Sequence, residues 1–396
     1  MGKLDWRNRA WAAVLLCVTT AIGVSAQTFK TLHRFDGTDG AGPSGLIQAA
    51  GGNLYGTTET GGYNSASCPY PGCGTVFKIN PSGGPVKTLY SFCSQGNCDE
   101  GADPLAVLIQ GIGGSLYGTT SIFGGGAWGS GGTVFKITPS GTLTTLYSFC
   151  SQYNCPSGAS PAAGLVQGTG GNFYGTTSEG GGARGQGTVF KITPSGTLTT
   201  LYSFCPRYGC RDGATPDAGL VQATDGNLYG TTKNGGASTA CNGFGCGTVF
   251  KITPSGTLTR LHSFNGTDGA NPEAGLVQAT DGNLYGTTYG GGANNAGTVF
   301  KITPSGTLTT LYSFCSQSGC TDGGSPYAAL VQATDGNFYG TTPSTIFKIS
   351  PSGTLTTLYT FCSQSGCTDG YDSRTALVQD TDGNFYGTTV PGGANG

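Results

Sequence analysis

The chain has 396 residues, 74 of them glycine and only 10% charged, with a formal net charge of −2. The glycines follow no G-X-Y period and aromatic residues recur at ordered positions, which excludes a collagen-like or disordered chain, and the lack of any basic cluster excludes a nucleic-acid partner. Threonine, serine, asparagine and aromatic residues join glycine at the expense of long-chain helix formers, so the expected fold class is all-β.

Residues 1–26 read as a secretory signal peptide. Lys3, Arg7 and Arg9 precede an apolar run from Ala10 to about Val24, and Val24-Ser25-Ala26 is a small-residue cleavage site that sets the mature start at Gln27. Cys17 is a poor lipidation site, because Leu16 is bulky where a small residue is usual. No later apolar run is long enough for a membrane span. The expected product is secreted, extracellular or periplasmic, and monomeric.

From residue 27 onward the sequence repeats. The segment Gly-Asn-Leu-Tyr-Gly-Thr-Thr recurs around Tyr55, Tyr117, Tyr174, Tyr229, Tyr285, Tyr339 and Tyr386, which makes seven copies in a single domain over 27–396. Each repeat holds four strand-like runs, in the fourth copy 218–224, 227–232, 247–253 and 257–264. Asp225-Gly226 links the first run to the second and Pro254-Ser255-Gly256 the third to the fourth. Turns this short make each repeat an antiparallel four-stranded meander. Val249 and Lys251 point to one face of such a sheet, Phe250 and Ile252 to the other, so both faces need a neighbouring sheet. Stacking in a ring supplies one on each side, and the expectation is a seven-bladed β-propeller of four-stranded antiparallel blades. A parallel β-helix, the other all-β repeat, has shorter coils without paired hairpin turns.

The third run occurs only six times. Counting residues 28–35 as a fourth run, the last blade lacks the strand between its second and fourth. The closing Gly392-Gly393-Ala394-Asn395-Gly396 matches the residues that precede the fifth third-strand copy, so the chain is expected to be a fragment that continues into a Gly-Thr-Val-Phe-Lys-Ile-like segment.

Fourteen cysteines fall into seven C-x4-C pairs: Cys68/Cys73, Cys93/Cys98, Cys150/Cys155, Cys205/Cys210, Cys241/Cys246, Cys315/Cys320 and Cys362/Cys367. An even count at one spacing in an exported chain predicts local disulfides. Each closes a short loop worth about 2 kcal/mol of unfolded-state entropy. Zinc would gather four ligands, whereas these pairs sit in separate repeats and there are two histidines in all, so no metal or cofactor is expected.

The runs ITPSGTLTTLYSF, AGLVQATDGNLYGTT and GTVFKI together resemble the Gloeo/Verruco repeat of secreted bacterial proteins, often grouped as choice-of-anchor tandem repeat proteins. More distantly, DGNLYGTT and ITPSGTLT are similar to NHL and streptogramin-lyase propellers. The resemblance implies export and a propeller with the AGLVQ strand innermost and LTTLYSF outermost; it implies no general activity.

Alternating strand direction puts the short turns on one face of the ring and the long, variable, cysteine-bearing loops on the other, where ligands are expected. One candidate constellation is acidic: Asp39, Glu100, Asp212, Asp268, Asp322 and Asp369, with Ser157 in the third loop, end the loops that precede the innermost strands. A ring of such charges would attract a cation or a basic ligand, whereas the alternative is plain Asp-Gly turn chemistry. A second constellation is aromatic: Tyr63, Tyr70, Phe123, Trp128, Tyr153, Tyr208, Phe244 and Tyr289, rings able to stack on sugars or anchor a protein, or simply to cover the disulfides. Contacts are expected near Tyr63, Tyr70, Trp128 and Phe244.

Catalytic signatures are sparse. His33 and His262 replace a fourth-strand tyrosine, and the third-strand lysines, Lys191 among them, read as structural. Asp380-Thr381-Asp382-Gly383-Asn384 begins like a calcium loop but has Phe385 where glycine is required. The sequence therefore favours a binding or adhesion module for an unknown glycan or surface protein. The alternatives are a carbohydrate-active enzyme using Asp217, Glu273, Glu59 and Glu179, or a purely structural surface protein.

Overall fold

The computed structural model describes residues 28–63, 72–94, 96–125, 131–241 and 243–390; the expected signal peptide, Cys68, Tyr70 and Trp128 lie outside the described residues. The compact fold starts at Thr31. It is a β-propeller with six four-stranded blades, each a meander in chain order, and a two-stranded sheet contributed by the seventh repeat. Among the described residues the only helical turns are the 3-10 turns Ser318–Cys320 and Ser365–Cys367, and no helix is long and apolar enough to cross a membrane.

The fourth blade illustrates the register. Leu228–Thr232 pairs with Thr248–Ile252, which pairs with Leu258–Ser263, close to expectation. The first strand is shorter than expected, only Val221–Gln222. Its upstream half is committed to the neighbouring blade, because the Ala218 carbonyl accepts a hydrogen bond from Thr176 Oγ1 at 3.0 Å. These first strands are the innermost. A Cβ added to Gly219 would lie 3.3 Å from the Gly164 carbonyl oxygen, and one on Gly275 3.3 Å from that of Gly219.

The core lies between blades rather than within them. Tyr229, Val249 and Phe264 of the fourth blade pack with Leu276, Leu284, Phe300 and Ile302 of the fifth. Each fourth-strand phenylalanine meets the next third-strand phenylalanine edge-on, as Phe204 meets Phe250 with centroids 5.2 Å apart. Two polar devices recur alongside. The first threonine after each second-strand glycine donates to a carbonyl of the next repeat's innermost strand, and the first-strand glutamine accepts an N–H from the preceding blade's turn, as Gln278 does from Thr224 at 2.8 Å. Gly256, at φ +99°, is required by both conformation and space: a Cβ there would sit 2.7 Å from the Leu201 carbonyl oxygen.

The seventh repeat departs from expectation. Among the described residues it forms only Val378–Gln379 paired with Phe385–Tyr386. Residues 28–35 form no strand, and among the described residues no third strand of this repeat lies beside them. The ends of the fold nevertheless meet. Leu32, Phe35, Val378 and Tyr386 pack against Leu46, Leu54, Phe77 and Ile79 of the first blade, and Thr388 Oγ1 donates to the Ser44 carbonyl at 3.2 Å, matching the threonine contact of the other repeats.

Candidate binding site at the loop face

The long loops are built on repeated backbone strain held by local bonds. The cysteine pairs Cys93–Cys98, Cys150–Cys155, Cys205–Cys210, Cys241–Cys246, Cys315–Cys320 and Cys362–Cys367 are disulfide-bonded as expected. Cys73 is also in a disulfide, its expected partner Cys68 lying outside the described residues. The sulfurs of Cys73, Cys93 and Cys98 gather closely enough to hold a metal, but oxidation to disulfides leaves no thiolate to ligate one. Mass spectrometry of an unreduced digest is expected to find each C-x4-C pair linked internally; long-range cross-links in most pairs would contradict the fold.

The acidic residues serve their own loops. Asp212 accepts from the Tyr202 hydroxyl at 2.9 Å and from the Cys205 N–H at 3.0 Å, and Glu100 accepts from Tyr90 and Cys93 in the same way. Asp322 is fully buried and accepts from Tyr312, the Ser316 N–H and the Ser316 hydroxyl, and Asp369 repeats this with Tyr359 and Ser363. Burial alone would raise the Asp322 carboxyl, yet those donors bring it below the usual range. Where the cysteines are missing, Asp39 and Asp268 bind His33 and His262 at 2.6 and 2.8 Å. These carboxylates close loops against the outer strand, the bonding that the turn-chemistry alternative describes. Asp380 and Asp382, in the calcium-like segment, likewise accept from Thr381, Asn384 and Tyr386.

The aromatics divide. Tyr63, Tyr153, Tyr208 and Phe244 are exposed, with Arg184 stacked 3.7 Å over the Tyr208 ring. Phe123 instead packs against the core. Tyr289 lies against Tyr327 with centroids 4.7 Å apart and planes tilted by 40°.

That last pair belongs to an arc that sequence reasoning reached only in part. Two positions vary in otherwise constant motifs: those just after Gly-Thr-Thr, and those ahead of the innermost strand. In the ring, the first kind from one repeat meets the second kind from the next. Lys233 Nζ lies 3.1 Å from Glu273 and 3.9 Å from Asp217. Tyr289 meets Tyr327, and the Arg374 guanidinium lies over the Tyr327 ring, 5.5 Å from its centroid, while binding Asp372. Glu179 acts on Asp217, and Glu59 on both Asp103 and Arg374. The backbone underneath is fixed: Asp103, Ser160, Thr215, Asn271, Ser325 and Asp372 all have left-handed φ between 52° and 55°. The Thr215 and Asn271 carbonyls accept the Lys233 and Tyr289 N–H groups at 2.9 and 3.0 Å. Repeated strain of this kind marks functional rims more often than plain connections.

Electrostatics single out two carboxyls. Burial pushes Asp217 up to about 6, with Lys233 opposing and Glu273 and Glu179 adding to the rise. Burial and then Glu59 push Asp103 up to about 6. The arc thus combines two carboxyls of raised pKa, further carboxyl groups, two cations and a pair of phenol rings.

Fold and repeats together define a repeat-built β-propeller. The Gloeobacter/Verrucomicrobia repeat matches residues 19–244 and 208–396, and the chain belongs to that family. Among curated proteins none matches it. In fold it is similar to a streptogramin B lyase, at 17% identity and TM-score 0.58 over 89% of this chain and 91% of that one. It is also similar to the extracellular domain of a putative hybrid two component system, BT4673, from B. thetaiotaomicron, at 13% identity and TM-score 0.59 over 92% of this chain and 39% of that one.

Proposed function

We propose that the chain is an exported binding module that takes a glycan at the loop-face mouth of a seven-repeat ring, the seventh repeat being an incomplete blade. The carrying observation is the arc from Asp217, Lys233 and Glu273 to the tilted pair Tyr289 and Tyr327, with Arg374 over Tyr327. Sugar rings present an apolar face to an aromatic ring and hydroxyls to flanking charges, and this arc offers both. The exposed rings Tyr63 and Phe244 extend the same face and would add outer contacts. Asp39, Asp212, Asp268, Asp322 and Asp369 support the loops, each accepting bonds from its own loop or the outer strand. Disulfides in nearly every repeat support export after cleavage near Ala26, and the module is taken to act as a monomer.

A glycan array with the purified chain is expected to give binders that Tyr327→Ala weakens by about 1–3 kcal/mol with little change in melting temperature, and that Phe244→Ala weakens less. Loss of neither would place the site elsewhere. The second reading is hydrolytic, favoured by Asp217, whose carboxyl burial pushes up to about 6, lying with Glu273 around Lys233. Release of reducing sugar that disappears in both Asp217→Asn and Glu273→Gln would replace binding by catalysis.

A further inference from the structure

Four of the six arginines beyond residue 26 are Arg184, Arg207, Arg211 and Arg260. They form no basic run in the sequence and come together only in the fold, around the loop that the Cys205–Cys210 disulfide closes. Arg207 lies within that loop and Arg211 directly after it. From the third repeat, the Arg184 guanidinium lies 3.7 Å over the ring of Tyr208 in the loop. From the outer strand of the fourth blade, Arg260 donates through Nη1 to the Arg211 carbonyl. Two blades and the loop between them thus deliver four guanidinium groups to one rim.

The matching positions of other repeats carry no arginine. Gln317 and Gln364 stand in place of Arg207, and Thr321 and Thr368 in place of Arg211. Arg260 faces Phe250 across the ladder, the place that Thr357 holds opposite Phe347 in the sixth blade. There Thr357 Oγ1 donates to the Thr321 carbonyl at 3.4 Å, so Arg260 keeps a bond the fold already uses and adds the remaining donors of its fork.

These charges are also uncompensated. All four side chains are exposed, and among the described residues none of them is in an ion pair. The loop's own carboxylate, Asp212, is turned to the Tyr202 hydroxyl and the Cys205 N–H, and Glu179, from the loop that carries Arg184, acts on Asp217 at the mouth. Guanidinium forks match the paired oxygens of sulfate and carboxylate groups. Without these four charges the formal net charge would drop by four, from −2 to −6. A long polyanion such as nucleic acid therefore meets repulsion once it leaves the patch, whereas a short anionic segment does not. Tyr208 is 91% exposed, so its ring stays open to the apolar face of a sugar beside the cations.

We propose that the rim around the Cys205–Cys210 loop binds an anionic glycan, with its sulfate or carboxylate groups on Arg184, Arg207, Arg211 and Arg260 and a sugar ring on Tyr208. The site stands beside the outer strand, away from the mouth, and does not rest on the mouth's own glycan reading. A glycan weakened by Tyr327→Ala reports the mouth and one weakened by the arginine substitutions reports this rim, so either reading can fail alone.

The test is titration of the purified chain with a sulfated dextran hexasaccharide, a hexagalacturonate and neutral maltohexaose. Binding of at least one anionic sugar is expected, weakening as salt is raised, with none of maltohexaose; the sugar that binds identifies the anion as sulfate or carboxylate. Arg207→Gln, Arg211→Thr and Arg260→Thr install residues that other repeats already carry, so the fold is kept. Together they are expected to weaken binding about 30-fold or more. Tyr208→Ser, the residue at Ser318, is expected to cost about 3- to 10-fold. Lysine at all three arginine positions keeps the charge but is expected to lose several-fold, because the forks are gone. No binding of either anionic sugar at millimolar concentration, or unchanged binding by the triple variant, would overturn the proposal. Tighter binding of an oligothymidylate of equal charge would overturn it too, by reassigning the patch to nucleic acid.

Discussion

Phe250→Ala is expected to destabilise the chain by about 3–5 kcal/mol, the range for emptying a phenylalanine site in a close-packed core. Phe250 is fully buried, lies over Gly230 beside Leu220, and meets Phe204 of the preceding blade edge-on at 5.2 Å. The substitution therefore opens a cavity at a joint between two sheets, where collapse would require moving a whole blade. Chemical denaturation of Phe250→Ala beside Lys251→Ala makes the comparison. Lys251 sits next along the same strand but only half-buried, so its removal is expected to cost well under half as much. Equal losses from the two would mean that stability resides within blades rather than between them.

The same joint explains how far the sequence could be read. The alternation of Val249, Phe250, Lys251 and Ile252 demanded two covered faces, and the sheets stack accordingly. The shortened first strand was not legible, because the diversion of the Ala218 carbonyl to Thr176 depends on the adjacent blade. Nor was the mouth legible as a unit. Asp217, Glu273, Glu59 and Glu179 stood out as carboxylates, and Tyr289 as an aromatic, but Lys233, Tyr327 and Arg374 gained meaning only when the end of one repeat's second strand met the start of the next repeat's first. The available signal was that these positions vary inside constant motifs. The acidic loop residues were legible in two ways. Asp212 and its counterparts recur so regularly that they suggested a shared charge ring, yet regular recurrence is what a loop-closing acceptor for Tyr202 and the Cys205 N–H also produces.

Asp217 is expected to titrate near 6 in carboxyl-carbon NMR, and its response to neighbours tests the assembly of the mouth. Desolvation is the largest cause, so the charged form is disfavoured in the folded chain while the unfolded chain ionises near the ordinary 3.8. Between those two values the folded state retains a proton that the unfolded state has released. Stability therefore falls as pH rises from about 4 to about 6, and the cost persists above that window. With a side chain 26% exposed, solvent screening limits this cost to on the order of 1–2 kcal/mol. Asp217→Asn is expected to flatten that part of the pH–stability profile and to be neutral or stabilising at pH 7, since Lys233 retains Glu273 at 3.1 Å. Lys233→Met removes the one cation that lowers Asp217 and should move its titration upward, whereas Glu273→Gln removes a like charge and should move it downward. Opposite shifts from these two substitutions require that both groups face the same carboxyl across the junction of the fourth and fifth repeats. Shifts in one direction, or none, would mean that the three side chains do not share a site, and the glycan-binding mouth would lose its polar half.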